Sequence, residues 1–226
     1  QEGGADRVEL CAGIPEGGTT PSYGEIKIAR RMLNTTRLHV IIRPRGGDFL
    51  YTPLEVERME EDIRMCRQLG VDGVVIGCLK ADGSIDIEND QRLKDAAGDM
   101  SVTFHRAFDC CANPMLALEQ LCELGIDRIL TSGQQPTAEQ GIDLLRKLNK
   151  AAAGRIKILA GCGVNENNIS KIHEETGVNE FHFSARIPVK SHMQYANPNV
   201  YMGDKDADES TLMYTSAERV KATISK

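Results

Sequence analysis

Titratable side chains cluster near the end of the apolar run 100–108. His105 is a candidate acid–base group, because a neutral imidazole can donate or accept a proton near physiological pH. Arg106 adjoins it, and Asp109 follows four residues later. Glu9 and Arg43 lie toward the ends of two other apolar runs. We therefore predict catalytic roles for His105, Arg106, Asp109, Glu9 and Arg43. The alternative for His105 is a hydrogen-bonded structural histidine.

The facing of these side chains depends on the period of a β-strand. Successive side chains point to opposite faces, so Thr103 and His105 share one face while Phe104 and Arg106 share the other. His105 and Arg106 therefore reach the same side only if the strand has ended by His105. The facing of His182, in the last apolar run, is left open by the sequence.

Two turns that follow apolar runs are candidates for binding an anion. Gly161 and Gly163 flank a turn in front of a predicted helix, with Asn165 as its expected N-cap. In a barrel, the loops after the last two strands often bind phosphate through backbone N–H groups, and arginine can add a bidentate contact. We predict anion binding by Gly161, Gly163, Ser184 and Arg186. The alternative is that the glycines only permit a tight turn.

The seven cysteines form no C-x-x-C pair and no spacing typical of a disulfide framework. This usage favours a reducing, cytoplasmic setting. Five of them fall at or just beyond the ends of predicted strands: Cys11, Cys78, Cys110, Cys111 and Cys162. Soft thiolates bind Cu(I) or zinc, whereas buried thiols often serve only packing. Spacing alone does not decide between metal binding and packing. It also does not show in which direction the Cys11 side chain points.

A short pattern recurs four times and defines the elements that position these groups. Each copy is typical of a helix ending at glycine, a turn at Asp or Asn, and a following strand. The turn residues Asp6, Asp72, Asp127 and Asn179 are 66, 55 and 52 residues apart, which suits two βα units per interval. Further apolar runs at 37–45, 100–108 and 155–161 lie between them. Seven strands therefore alternate with helices near 22–34, 53–69, 88–97, 113–124, 137–150, 165–176 and 216–225.

This alternation predicts a parallel α/β sheet, either closed as a barrel or open and doubly wound. No G-x-G-x-x-G follows any strand, which counts against the open dinucleotide-binding form. The first four residues resemble the end of a helix and include no initiator methionine. We therefore predict a TIM-like (β/α)8 barrel whose first strand and most of whose first helix are absent from these residues. We expect one domain over residues 1–226, with a long excursion at 187–212.

Composition narrows the range of partners. The net charge of −6 argues against binding to nucleic acid or to an anionic membrane surface. No apolar stretch reaches the length of about 18 residues needed to span a membrane. Aromatic residues make up only 4% of the chain, so aliphatic side chains must fill the core, as in barrel interiors.

Several segments resemble the CutC family, usually described as copper homeostasis proteins. The resemblance covers most of the chain and is carried by the segments 3–11 (GGADRVELC), 17–22 (GGTTPS), 42–51 (IRPRGGDFLY), 103–109 (TFHRAFD), 130–133 (LTSG) and 180–186 (EFHFSAR). It implies a TIM-like barrel, a cytoplasmic protein and self-association as a homodimer or higher homo-oligomer. It also implies a preceding strand with a Glu-x-Cys motif and copper binding in which Cys11 supplies a thiolate. At Cys162 this chain departs from the glycine usual in the family.

Two functions follow as hypotheses. The first is a cytoplasmic copper homeostasis protein that binds Cu(I) through the Cys11 thiolate at the barrel mouth. The alternative is a TIM-barrel enzyme that acts on a small anionic or phosphorylated metabolite with His105 as acid or base. A Schiff-base mechanism is disfavoured because no lysine lies in the second half of a strand. The expected partner is thus a copper ion or a small anionic metabolite.

Overall fold

Seven short strands alternate with helices along the chain. The computed structural model describes residues 1–197, 199–200 and 208–226. The strands of the main sheet are β1 (Arg7–Leu10), β2 (Arg37–Ile41), β3 (Gly73–Ile76), β4 (Ser101–Phe104), β5 (Arg128–Thr131), β6 (Lys157–Gly161) and β7 (Glu180–His182). The helices are α1 (Tyr23–Met32), α2 (Pro53–Gln68), α3 (Ile87–Ala97), α4 (Pro114–Glu123), α5 (Ile142–Ala152), α6 (Ile169–Thr176) and α7 (Ala217–Ile224). The 3-10 turns Ile14–Glu16 and Arg106–Cys110 follow β1 and β4.

All neighbouring strands pair in parallel, in the order β1 to β7. Such a sheet needs strands that are apolar on both faces, and four of the five residues of β2 are buried. Alternate side chains such as Leu38 and Val40 pack outward against the helices in one continuous hydrophobic cluster. The curled parallel sheet confirms the predicted fold class. Within the described residues β1 and β7 are its edges, and the expected additional strand before residue 1 stays a prediction.

Capping residues fix the first residues of α1 and α2. Ser22 with Glu25, and Thr52 with Glu55, form reciprocal capping boxes at the starts of α1 and α2. No helix among the described residues is long and apolar enough to cross a membrane. The predicted helices agree with the observed ones to within about two residues, except at the starts of α5 and α6, which begin at Ile142 rather than 137 and at Ile169 rather than 165.

The prediction that Asn165 caps α6 is wrong. The Asn165 side chain accepts a hydrogen bond from the Asn167 amide and donates one to the Gly163 carbonyl. Asn168 accepts in turn from the Asn165 amide, so residues 165–168 form side-chain-stabilised turns. The helix therefore begins only at Ile169.

The long excursion after β7 starts and ends in regular structure. Residues Arg186–Lys190 (β8) and Thr211–Thr215 (β9) pair as an antiparallel hairpin outside the main sheet. This hairpin covers both ends of the excursion predicted at 187–212. Its two ends are strands because the segment folds back on itself, while residues 198 and 201–207 lie outside the described residues.

Candidate functional site

A cavity of about 1810 Å³ lies on the concave side of the sheet, and its lining extends from residues before the strands, such as Thr35, to residues beyond their carboxyl ends, such as Arg106. Along β2 and β4 the lining side chains recur at every second strand position, as inward-facing side chains do, whereas along the edge strands β1 and β7 every residue lines the cavity. Glu9, Thr103, His105 and His182 all line it, and so do most of the predicted site residues. The cavity is thus where the sequence-predicted groups meet.

Glu9 lies at the centre of a polar contact across the two edge strands. One of its carboxylate oxygens lies 3.2 Å from His182 Nε2, and the other accepts a hydrogen bond from the Cys11 thiol at 3.5 Å. Burial alone would raise the pKa of Glu9, but the charge and hydrogen bond of His182 lower it below its usual value. Burial likewise opposes the charged His182, yet Glu9 raises the pKa of that imidazole. The pair therefore favours a carboxylate facing an imidazolium.

Cys11 is held as a thiol in this environment. Burial raises its pKa, and the neighbouring Glu9 carboxylate raises it further. A thiolate here would place two negative charges side by side in a desolvated setting. Binding of a metal at this sulfur therefore has to displace a proton.

His105 presents a single free hydrogen-bond donor to the cavity. Its Nδ1 accepts from the Ala107 amide at 3.2 Å, so the neutral ring carries its hydrogen on Nε2. That Nε2 atom is buried without a partner among the described residues. Burial, together with the charge of Arg43, lowers the pKa of His105 to about 4 despite the nearby Glu9. The imidazole is therefore neutral across the physiological range.

The backbone directly after β3 makes room for this ring. A Cβ atom added at Gly77 would lie 2.6 Å from two atoms of the His105 imidazole. The Phe49 ring lies on another side, with 5.0 Å between ring centroids. Together these contacts fix the direction of the Nε2–H bond, which is the property a positioned donor needs.

Asp109 organises the loop that follows β5. Its carboxylate accepts hydrogen bonds from the Thr131 hydroxyl at 2.5 Å and from the amides of Ser132 and Gln134 at 3.1 Å. It also pairs with Arg106 at 2.8 Å. Arg106 remains half-exposed at the mouth, whereas the side chain of Asp109 is nearly buried. The carboxylate oxygens are thus occupied by local donors.

Arg43 is likewise occupied by the protein itself. Its guanidinium donates to the carbonyl oxygens of Glu16, Gly18 and Gly47 at 2.7–2.9 Å, and it lies over the Phe49 ring. These bonds tie the loop after β1 to the loop after β2. Its contribution to the site is therefore to position two loops of the mouth.

The predicted anion-binding loops lie side by side on the rim of the cavity. In the described part of the chain, the backbone N–H groups of Cys162, Gly163 and Val164 donate no hydrogen bond. Cys162 and Gly163 both adopt a left-handed backbone, with φ of 75° and 76°, which turns the chain sharply after β6. The guanidinium of Arg186 forms no ion pair with any described residue. Gly163, Ser184 and Arg186 line the cavity, whereas Gly161, buried at the end of β6, does not.

A metal site of several protein ligands does not fit these residues. Within the described ranges, no three His, Cys, Asp or Glu side chains are grouped so that they could hold a metal ion. The other sulfurs of the cavity wall, Cys110 and Cys162, form no such group with Cys11. The described side chains thus offer copper isolated thiols, of which the half-buried Cys11 is flanked by a carboxylate.

The role of His182 and a partly buried ion cluster were not predicted. Below the mouth, Glu180 pairs with Arg7, Arg128 and Lys157 at 2.7–3.1 Å. These three cations outweigh the effect of burial and lower the pKa of Glu180 to about 2. Both Glu180 and His182 lie on the inward face of β7, so the two-residue period was the available signal.

The parallel sheet with a polar cavity at its carboxyl ends places the chain among TIM-like barrel proteins. A structure of an aldolase, QR15, supports the fold alone, with a TM-score of 0.58, 15% identity, and coverage of 80% of this chain and 89% of that one. The CutC family model matches residues 1–187. The chain belongs to the CutC family.

Relatives agree with this assignment. A CutC family protein of Bacteroides thetaiotaomicron is 65% identical over 99% of this chain and 90% of its own length. One of Porphyromonas gingivalis is 51% identical over 98% of this chain and 90% of its own. The copper homeostasis protein CutC of Streptococcus agalactiae has a solved structure with a TM-score of 0.76 and 39% identity, covering 78% of this chain and 87% of that one.

Proposed function

We propose that this protein is a barrel enzyme that moves a proton on a small anionic carbonyl compound. The observation that carries the proposal is the buried Nε2–H of His105, which has no partner among the described residues and belongs to a ring that lines the cavity together with Glu9. A buried donor without an acceptor is costly, and such groups concentrate at functional sites. A substrate oxygen would satisfy it.

The chemistry follows from the two charge states. The Glu9 carboxylate takes a proton from the carbon next to the substrate carbonyl. The electron pair of that C–H bond forms a carbon–carbon double bond, and the π pair of the carbonyl moves onto its oxygen. His105 donates its Nε2–H bond to the oxygen as negative charge develops there. A neutral imidazole suits this task, since it can also give up the proton. His182 balances the charge of Glu9 and holds it in place.

The anionic end of the substrate would bind at the rim. The amides after β6 and the loop containing Ser184 supply hydrogen-bond donors, while Arg186 and the half-exposed Arg106 supply positive charge. Asp109 and Arg43 act here as positioning residues for the surrounding loops. A phosphate or carboxylate group suits these donors equally.

Titration with inorganic phosphate, followed by amide NMR signals, tests this site. We expect saturable shifts of the Cys162, Gly163 and Val164 signals. Gly163→Val should weaken binding at least tenfold, because a side chain at a φ of 76° strains the loop. Gly154→Val, at a φ of 79° in an open loop far from the cavity, is the matched control. Unchanged rim signals at high phosphate would contradict the anion site.

Copper(I) binding is the second candidate function, and the position of the Cys11 sulfur in the cavity favours it. In this role Cu(I) is the ion that the protein carries, not a resident cofactor, and it binds to one thiol of this chain. A competitive titration with a Cu(I) chelator should show at least tenfold weaker binding for Cys11→Ser than for the unmodified protein, with affinity increasing with pH as the thiol loses its proton. Cys122→Ser, outside the cavity, is the control. Equal affinities of the Cys11→Ser variant and the unmodified protein would refute this role.

The proposal also includes a cytoplasmic location and self-association of the chain. Seven free cysteines suit a cytoplasmic protein, where thiols stay reduced. The exposed apolar side chains of the β8–β9 hairpin, such as Val189 and Tyr214, suit contacts within a homodimer or higher homo-oligomer.

A further inference from the structure

The cavity continues below the mouth to two buried polar side chains that the proposed reaction does not use. His39 and Thr103 are 2% and 1% exposed, and both line the cavity. Within the described residues, His39 Nδ1 and the Thr103 hydroxyl have no hydrogen-bond partner. Burying such groups unpaired costs free energy, and a hydrogen-bonding group bound in the cavity would recover part of that cost.

The sheet is shaped to hold these groups. His39 pairs with Glu9 across the β1–β2 ladder, at the strand separation of about 4.8 Å. On its other side, a Cβ at Gly73 would lie 2.5 Å from the His39 ring. β3 thus leaves out a side chain at Gly73 for His39, and the residue that follows β3, Gly77, leaves one out for His105. Between Gly73 and Gly77 only Val75 projects inward, and it pairs with Thr103.

The surroundings keep this deeper region neutral. Burial, together with the charges of Arg7 and Arg128, lowers the pKa of His39 to about 4. Those two arginines are themselves paired with Glu180. What remains available is a neutral imidazole nitrogen and a hydroxyl. This pair matches a group that both donates and accepts hydrogen bonds without carrying charge.

We propose that His39 and Thr103 form an interior subsite that binds hydroxyl groups of a small polyhydroxylated metabolite. This inference rests on the proposed function and names its substrate class, a hydroxylated carbonyl compound with an anionic group. The anion lies at the rim, the carbonyl at His105, and the hydroxyl groups below it, toward His39 and Thr103.

Glycerol phosphate and inorganic phosphate are the probes, with amide signals reporting affinity and histidine side-chain signals reporting His39. Glycerol phosphate should bind at least fivefold more tightly than phosphate and should move the His39 signals, which phosphate alone leaves in place. Thr103→Val should bring the two affinities together without changing that of phosphate. The variant should also melt at a higher temperature, since it removes an unpaired buried hydroxyl. Thr211→Val, on β9 outside the cavity, is the control.

Equal affinities for the two probes in the unmodified protein would overturn the subsite, and so would an unchanged affinity ratio in Thr103→Val. If phosphate fails to bind at all, the anion site proposed above is wrong. Titration with glycerol alone then decides the subsite through the same His39 signals. Saturable shifts support it, and static signals, as expected for a subsite filled only by water, overturn it.

Discussion

Replacing Asp109 with alanine is expected to lower the free energy of unfolding by about 3–5 kcal/mol. The carboxylate accepts hydrogen bonds from the Ser132 and Gln134 amides and from the Thr131 hydroxyl, and it pairs with Arg106. Alanine would leave these donors without an acceptor in a largely buried loop. Urea unfolding of the two proteins measures the loss.

Asp143→Ala is the matched control for this substitution. Asp143 pairs with Arg146 on the surface, and its side chain is 89% exposed. Such a pair contributes at most about 1 kcal/mol, so the control should change stability little. A loss below about 1 kcal/mol in Asp109→Ala would show that the loop after β5 does not depend on this carboxylate.

Replacing Asp90 with asparagine is expected to stabilise the protein increasingly as the pH rises. Asp90 is fully buried, one oxygen accepts from the Cys78 amide, and the other has no partner among the described residues. Burial raises the pKa of this carboxyl well above its usual value, with a further contribution from Asp86. The folded protein therefore keeps Asp90 protonated, while the unfolded chain releases that proton above about pH 4.

The sign follows from proton linkage. The stabilisation of the folded state by protonated Asp90 is complete below about pH 4, and it is lost as the pH rises through the elevated folded pKa. Over this window the native state binds the additional proton, so stability falls by about 1.4 kcal/mol per pH unit. Asparagine keeps the acceptor for Cys78 and cannot ionise.

Urea unfolding at pH 5, 6, 7 and 8 measures the difference between the two proteins. The advantage of Asp90→Asn should grow by about 1.4 kcal/mol at each step until the folded pKa is reached. Asp95→Asn, on the exposed face of the same helix, should show no such slope. A difference that stays constant over the whole range would mean that Asp90 is ionised in the fold.

The fold could be predicted from the sequence because the residue patterns that indicate it are local. The turns at Gly70, Gly125 and Gly177 each follow the end of a helix, and each buried parallel strand is a short apolar run. The failure at Asn165 is also local in origin. Asparagine favours both N-caps and side-chain-stabilised turns, and the Gly163 and Asn168 contacts that select the turn arise only in the folded loop.

Only part of the site could be predicted from the sequence. His105 could be singled out because it follows a strand, but its tautomer depends on the Ala107 amide in the following 3-10 turn. The contact of Glu9 with His182 joins residues 173 positions apart, and it depends on the curvature that brings the edges of the sheet together. No local pattern encodes that curvature. Likewise, only the folded loop shows how many donors surround Asp109.

The charge states of the mouth histidines carry the proposed chemistry. Nitrogen-15 NMR of the imidazole rings, recorded from pH 4 to 9 with and without phosphate, reports both charge and tautomer of each ring. We predict that His105 stays neutral with its hydrogen on Nε2 down to about pH 4, while His182 titrates above its ordinary value because of Glu9. A His105 that becomes charged near pH 6.5, or that carries its hydrogen on Nδ1, would contradict the acid–base account.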